Sequence, residues 1–317
     1  MLTFKNLNDN HIEPAARLAL GEYFEERNAT AILPNGDYFD LFCNMIAKMT
    51  AYNLGIAAMQ EGKLVGFLTC YKPWNHHFGM TMGTFSPIHA HGTIKHNRKH
   101  IYSLLYQTAA EKWVREGILS HAIAVYAHDS ESISSFWENG FGLRTVDAIR
   151  NVETIVCEAF PDYEFCELAI GEIAHIVPLK NLLREHLRST PMFIPLSFSQ
   201  DVTQIREENE RRKSRYFIAK DKNKLIAFIE IMQSGENFAC NDPKMINICG
   251  AYMIPEYRQT GIFTKFLSWL MDVLLIEGYT RCDVDFESFN PTANYFWLKY
   301  FTAYTYGVVR RIDERIF

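Results

Sequence analysis

At 317 residues the chain exceeds a typical single core, and at roughly 150 residues per domain it reads as about two domains. Hydrophobic residues make up 48 % and charged residues 22 %, which excludes a wholly disordered or fibrous chain. The net charge of −5 argues against a general nucleic-acid binder, because neutralising phosphates takes an excess of Lys and Arg.

The opening stretch from Met1 to Pro14 has no basic segment followed by an apolar one, so no secretory signal is expected. The apolar run that starts at Phe266 is interrupted by Asp272 and is half the length of a membrane span, so no membrane partner is expected. The seven cysteines (Cys43, Cys70, Cys157, Cys166, Cys240, Cys249 and Cys282) are odd in number, scattered, and form no CxxC pair. They read as free thiols in a reducing, cytoplasmic compartment.

In chain order, Leu2 to Leu7 alternates like a strand, and Asp9 or Asn10 caps a helix with apolar positions at Ile12, Ala15, Ala16, Ala19 and Leu20. A second helix runs from Tyr38 to Met49, after a turn at Pro34 to Asp37. Gly55–Met59 and Lys63–Cys70 read as a hairpin around Glu61-Gly62. A strand from Thr84 to Ala90, a helix from His100 to Glu116, a strand from His121 to Tyr126 and a helix from Ser130 to Asn139 complete the first half. The second half repeats the order: strand Phe165–Ile170, helix Glu172–Leu187, helix Thr203–Lys213, and hairpin Arg215–Met232. Strand Met245–Ile254, helix Ile262–Glu277, strand Arg281–Phe286, helix Asn290–Tyr300 and strand Tyr306–Ile312 follow. A repeat this long implies a duplicated domain and not a solenoid. Domains are expected at 1–155 and 160–317, with Pro161-Asp162 marking the connection.

The segment with most chemistry in it is Ile248-Cys-Gly-Ala-Tyr-Met-Ile-Pro-Glu-Tyr-Arg-Gln-Thr-Gly261 and the helix it opens. A buried strand broken by Pro255 leads to a polar turn, and a helix N-terminus offers unpaired N–H groups that suit a pyrophosphate. Gly261 would let the backbone approach such a ligand, and an ordinary strand-to-helix turn is the alternative. Further on, Asp283, Asp285 and Glu287 alternate on one face of a strand, either a solvated face or a row that attracts a cationic amine. Nine of the eleven histidines lie in the first half. His89 with His91, and His96 with His100, are spaced for metal, yet no carboxylate or Cys completes a ligand set, so no metal is expected. Tyr71 to Phe78, containing Trp74, His76 and His77, reads as a loop capping the core or as an aromatic rim.

Element order and loop together resemble the GNAT superfamily of acyl-CoA-dependent N-acyltransferases. Met253-Ile-Pro255-Glu-Tyr257-Arg258-Gln-Thr-Gly261-Ile-Phe263 is similar to its V-x-P-x-[YF]-R and [RQ]-x-x-G-x-[GA] pattern, with Phe263 in place of the last small residue. Asn290-Pro-Thr-Ala293-Asn-Tyr-Phe296-Trp297 is similar to its second motif. In the first half, Asp129 to Phe141 resembles the late helix of the family, but the phosphate-loop position reads Asn97-Arg-Lys-His100-Ile-Tyr102, without either glycine. The first domain therefore looks like a degenerate copy.

The resemblance implies an α/β (α+β) fold of two tandem GNAT-like domains, each a mixed, bent, mostly antiparallel sheet flanked by helices. It implies transfer of an acetyl or other acyl group from acetyl-CoA, or another acyl-CoA, to a small amine by direct attack on the thioester. The cofactor would be bound by Tyr252, Met253, Ile254, Arg258, Gln259, Thr260, Gly261, Ile262, Phe263, Thr264, Asn290 and Trp297. Where many relatives carry an acidic Tyr, this chain has Trp297, so Tyr295 and Tyr300 are the substitutes for the acid, and Asp285 and Glu287 are candidate bases. A non-catalytic acyl-CoA-binding or sensing protein is the rival reading. A third is an aminoacyl transferase related to the peptidoglycan-bridge enzymes, for which no coiled arm is visible.

Overall fold

Period-3.6 and period-2 apolar patterns account for most elements, and their exceptions lie where charge or proline interrupts them. The computed structural model describes residues 1–77, 79–160 and 162–317. Phe78 and Pro161, placed above in a loop and a connection, lie outside the described residues.

The first half forms β1 (Leu2–Asn6), α1 (Ile12–Ala29), α2 (Phe39–Thr50), β2 (Ile56–Gln60), β3 (Lys63–Leu68), β4 (Trp74–Asn75) and β5 (Met82–Ser86). It continues with β6 (His91–Thr93), α3 (Arg98–Arg115), β7 (Ser120–Tyr126), α4 (Ser130–Glu138) and β8 (Gly142–Asn151). The second half forms β9 (Tyr163–Glu167), α5 (Val177–Arg188), α6 (Val202–Arg212), β10 (Arg215–Asp221), β11 (Lys224–Met232) and β12 (Met245–Met253). It ends with α7 (Ile262–Ile276), β13 (Arg281–Glu287), α8 (Pro291–Tyr300) and β14 (Thr302–Arg311).

Several boundaries differ from the sequence reading for local reasons. Asn8, and not Asp9 or Asn10, caps a short 3-10 turn ahead of α1, accepting from the Asn10 backbone N–H. The expected strand to Ala90 stops at Ser86, because the chain turns after Pro87, where the Ala90 N–H donates to the Pro87 carbonyl. The helix expected from Glu172 starts as a 3-10 segment, and α5 proper begins at Val177 with Pro178 in its first turn. Strand β8 was not foreseen, since Arg144, Asp147 and Arg150 break up its apolar signal.

Two compact units result, one made of Met1–Val146 with Ala303–Phe317, the other of Asp147–Thr302. The sequence division left the last strand with the second half, whereas its residues from Ala303 onward count with the first unit. In the first unit the strand order β1-β2-β3-β6 is antiparallel, and β7 lies between β5, to which it is parallel, and β14, to which it is antiparallel. Its core gathers Ile101, Tyr102, Leu105, Tyr106 and Trp113 of α3 against Phe136 and Phe141. In the second unit β9, β10, β11 and β12 pair antiparallel in sequence order, and β12 pairs parallel with β13. Each unit is thus a mixed, mostly antiparallel arrangement flanked by helices.

Helix α7 shows how sequence sets this packing. Ile262, Phe266, Leu267, Leu270, Met271 and Leu274 fall on one face and are all buried. Phe266 stacks on Phe165, with ring centroids 5.3 Å apart, and each such buried ring contributes about 1.5–3 kcal/mol. The helix ends at Gly278 (φ +89°), whose N–H donates to the Leu275 carbonyl while Tyr279 donates to Leu274, closing the last turn.

Two features of β12 position the site. Its pairing with β11 shifts register between Glu230 and Ile231, leaving Cys249 as the extra residue of a bulge. Its parallel pairing with β13 stops at Ile248 opposite Val284, so β12 beyond that point is free of β13. The two strands separate where a ligand backbone can enter.

Candidate active site

The end of β12 is locked in place before the helix begins. After Pro255 the chain makes one 3-10 turn, and the Arg258 N–H donates to the Pro255 carbonyl. The Arg258 side chain turns back, its Nε donating to the Met253 carbonyl at 2.8 Å and its guanidinium lying 5.1 Å over the Tyr252 ring. Thr260 Oγ1 donates to the Tyr257 carbonyl. Gln259 and Gly261 take left-handed backbone angles, φ +63° and +88°. Gly261 then caps α7 with no side chain of its own, and Thr260 Oγ1 accepts from the Ile262 N–H at 3.4 Å. By contrast α8 is capped by Asn290, whose Oδ1 accepts from the Ala293 N–H and the Thr292 hydroxyl. The open amide groups of α7 carry the positive end of its dipole.

This turn forms one side of a cavity of about 860 Å³. β12 contributes Ala251, Tyr252 and Met253, and the loop and α7 contribute Arg258, Gln259, Gly261, Phe263 and Thr264. α8 closes another side with Asn290, Ala293, Tyr295, Phe296, Trp297, Lys299 and Tyr300. Phe263, which stands at the expected small residue, packs its ring 5.0 Å from Phe296 and 6.2 Å from Trp297. It builds an aromatic wall and leaves the amide groups open. Tyr300 reaches across so that its hydroxyl lies 3.0 Å from Thr264 Oγ1. Tyr295, also on the wall, is 80 % exposed.

Of the residues expected to hold a cofactor, Ile254, Thr260 and Ile262 stand outside the lining; Ile254 and Ile262 are buried in the core. Asp285 and Glu287 are also away from this wall. The cavity includes Leu183 and His186 of α5, which sequence reasoning did not single out. Leu179, Leu183 and His186 are four and three residues apart, so helical spacing was the available signal. The His186 ring lies 6.3 Å from Tyr252, and burial followed by the Arg258 charge holds its pKa below the usual histidine value. The imidazole is neutral at neutral pH.

The three alternating acids of β13 share the face that carries Asn247, because Asn247 is in register with Asp283. Asp283 is fully buried and accepts from Cys240 Sγ at 3.4 Å, while Asp285 and Glu287 are partly buried, so the row runs from the core toward the surface. Asp285 follows the last paired residue of β13 and accepts from Asn247 Nδ2 at 3.3 Å. Enclosure of its carboxyl group, then the charges of Glu236 and Asp147, raises its pKa to about 7. On the same face Cys249 is kept a thiol by burial and by Glu230.

The corresponding helix start in the first unit is chemically the reverse. Asn97 caps α3 at φ +58°, and Arg98, one residue on, buries its guanidinium. Arg98 donates to both Glu25 oxygens at 2.8 and 3.2 Å and to Asp129 at 3.1 Å, and Glu22 is 3.8 Å away. Two carboxylates and the Glu22 carboxyl, whose pKa burial raises to about 8, surround this guanidinium and commit its charge, so it is not available to a diphosphate. Of the first-half histidines, His96 and His100 are exposed, whereas His91 bridges the Tyr102 hydroxyl and the Ala124 carbonyl in the core, and His121 bridges the Tyr106 hydroxyl and the Ile118 carbonyl. His89 is likewise buried. Trp74 is 41 % exposed with the His77 ring 4.2 Å away. Among the described residues no group of three or more His, Cys, Asp or Glu is arranged to hold a metal ion. Among them too, no helix is long and apolar enough to cross a membrane.

Residues 180–301 match the family model described as the acetyltransferase (GNAT) family. Among solved structures, the chain is similar to a GCN5-related N-acetyltransferase from Sphaerobacter thermophilus, at 9 % identity and TM-score 0.59, covering 98 % of this chain and 95 % of that one. It is also similar to a GCN5-related glucosamine N-acetyltransferase region of a fungal multi-domain GH3 β-N-acetylglucosaminidase, at 12 % identity and TM-score 0.52, covering 98 % and 38 %. A tandem GNAT protein from the clavulanic acid biosynthesis pathway is similar at 12 % identity and TM-score 0.47, covering 98 % of each chain. No curated protein matches the sequence.

Proposed function

We propose that the second unit, whose residues 180–301 match the acetyltransferase (GNAT) family model, transfers an acyl group from acetyl-CoA, or another acyl-CoA, to a small amine. The observation that carries this reading is the glycine-capped start of α7, where only the Ile262 N–H meets a side chain, beside a strand that has parted from its neighbour. The diphosphate would accept from the α7 amide groups around Gly261, and the pantetheine arm would pair with the open backbone of β12 at Ala251 to Met253. A backbone N–H there would also polarise the thioester oxygen as charge develops on it.

Direct attack fits this site better than an acyl-cysteine intermediate, since burial holds Cys249 as an unreactive thiol. Asp285, which is not on the cavity wall but follows the point where β13 parts from β12, is proposed as the base that takes a proton from the incoming ammonium. The free amine then attacks the acyl carbon, the carbon–sulfur bond breaks, and the thiolate takes up a proton. Tyr300 is preferred to Tyr295 as the donor, because Thr264 anchors its hydroxyl inside the cavity while Tyr295 projects into solvent. With all seven cysteines free, the proposal places the reaction in a reducing compartment such as the cytoplasm.

Two results test this reading. Calorimetric titration with CoA is expected to give one site per chain, because the charge of Arg98 at the first unit's equivalent position is already committed. Two equivalent sites would overturn it. Tyr300→Phe is expected to lower kcat by roughly 10²-fold with CoA affinity nearly unchanged, since the proton is needed only in the transition state. An unchanged kcat, read as free thiol released, would mean that the thiolate leaves without this acid. If the parent protein binds acetyl-CoA but releases no thiol with any amine offered, the sensing reading replaces the transferase.

A further inference from the structure

The cavity of the second unit carries charge of one sign. Its lining includes two cations, Arg258 and Lys299, and among the described residues no Asp or Glu. A diphosphate accounts for one of the two. Lys299 holds its Nζ 5.1 Å over the Tyr300 ring, and the Tyr300 hydroxyl meets Thr264 in the first turn of α7, so this cation belongs with the amide groups there. Arg258 instead lies over Tyr252, whose ring centroid is 6.3 Å from that of His186 on α5. An acceptor that is only an ammonium meets like charge at this end of the cavity, and one that also brings a carboxylate meets an opposite charge.

The Arg258 guanidinium is fixed in place without an acid beside it. Its Nε donates to the Met253 carbonyl at 2.8 Å and its Cζ is 5.1 Å from the Tyr252 ring centroid. Among the described residues no carboxylate lies within ion-pair distance of it. Glu185 and Glu256 are both exposed and outside the lining, and the α5 residues that do line the cavity, Leu183 and His186, are neutral. A guanidinium anchored at one nitrogen presents the rest of its planar fork in a set direction, and a carboxylate matches that fork with two hydrogen bonds. Ordering the side chain in advance lowers the cost of binding such a group. The Nε bond also holds the guanidinium against Met253, within the stretch of β12 on which the thioester is placed above. A carboxylate bound there therefore sits a short spacer away from the attacking nitrogen.

We propose that Arg258 anchors the carboxylate of the acceptor, so that the amines this chain acylates are amino acids. The inference rests on the transferase reading. The carboxylate stays ionised against Arg258 throughout. The ammonium beside it gives one proton to the base, and the freed electron pair forms the carbon–nitrogen bond. The carbon–sulfur bond breaks, the nitrogen loses a second proton, and the thiolate takes one up. The reaction balances as amino acid zwitterion plus acyl-CoA giving the N-acyl amino acid carboxylate, CoA thiol and one proton released to solvent.

The test measures thiol released from acetyl-CoA at pH 8 with each standard L-amino acid, with its amide, and with the amine that remains when its carboxylate is removed. The best amino acid is expected to exceed its own amide by roughly 10-fold or more in kcat/KM, although the amide's amine is the weaker base and is unprotonated more often. This comparison uses the parent protein and does not depend on any variant folding. Arg258→Gln is expected to shrink the preference by roughly 10-fold while calorimetry finds CoA affinity nearly unchanged. Amides that match their acids throughout, or a preference that survives Arg258→Gln, overturn the carboxylate anchor and leave the transferase reading intact. A CoA affinity that falls by more than about 10-fold in the variant gives Arg258 to the diphosphate and overturns the anchor as well. If no amine releases thiol but an amino acid binds the CoA-loaded protein and Arg258→Gln abolishes that binding, the transferase reading fails and the anchor stands. Neither thiol nor binding with any amino acid would sink both.

Discussion

Asp285→Asn is expected to lower kcat/KM by roughly 10²–10⁴-fold and, at pH 8, to raise the melting temperature. The two effects share one cause. In the folded protein the Asp285 carboxyl has a pKa of about 7, raised from an ordinary 3.8 by enclosure and by Glu236 and Asp147. The folded chain thus holds this proton more tightly than the unfolded chain does. Stability falls as pH rises from 3.8, and the loss is complete above about 7. An asparagine carries no such cost, so the variant gains on the order of a few degrees in Tm at pH 8 and nothing below the unfolded pKa. The same pKa sets the rate: kcat/KM of the parent should climb through pH 7 as the base ionises, and the variant should lose that limb. A variant that gains Tm but keeps the limb would move the base to Glu287.

Gly261→Val is expected to weaken CoA binding by more than about 100-fold while α7 stays folded, because a branched side chain would stand in the path of the diphosphate. The position also demands φ +88°, which costs an L-residue roughly 1–2 kcal/mol, and a Cβ there would sit 3.0 Å from Phe160 Cζ. Strain and obstruction are separable with Gly278→Val. Gly278 has φ +89° and nothing within 4 Å of its Cβ position, so that change brings the strain without the blocked site. Calorimetry should find CoA affinity lost in the first variant and kept in the second. Equal affinity in both would reduce the Gly261 turn to a connection.

Much of this was legible in sequence because periodicity and turn chemistry act locally. The apolar face of α7, the stop at Gly278 and the Pro255 break can each be read within a dozen residues. Tyr252, Met253, Gly261 and Asn290, singled out by motif, line one cavity. What escaped was set by partners far along the chain. Nothing beside Arg98 announces that Glu22, Glu25 and Asp129 surround it. The spacing of His89 and His91 does not show that His91 lies in the core, which depends on Tyr102 and the distant Ala124 carbonyl. Nor does the alternation of Asp283, Asp285 and Glu287 reveal that Asn247 lies alongside and donates to Asp285. Arg258 looked like a ligand for phosphate, and its Nε is used instead to fasten the Met253 carbonyl.

The assignment of Ala303–Phe317 to the first unit has a consequence for how the protein is made. A ribosome delivers Met1–Val146 first, yet that unit still lacks the strand that pairs with Ser120–Tyr126. Asp147–Thr302 leaves the exit tunnel with every residue of its unit already present. Synthesis and completion therefore run in opposite order, contrary to the usual sequence in which the N-terminal domain closes first. The nascent first unit waits with one edge of β7 open while about 150 residues are added, and a chain cut just before Ala303 keeps every residue of the second unit yet leaves the first without its last strand.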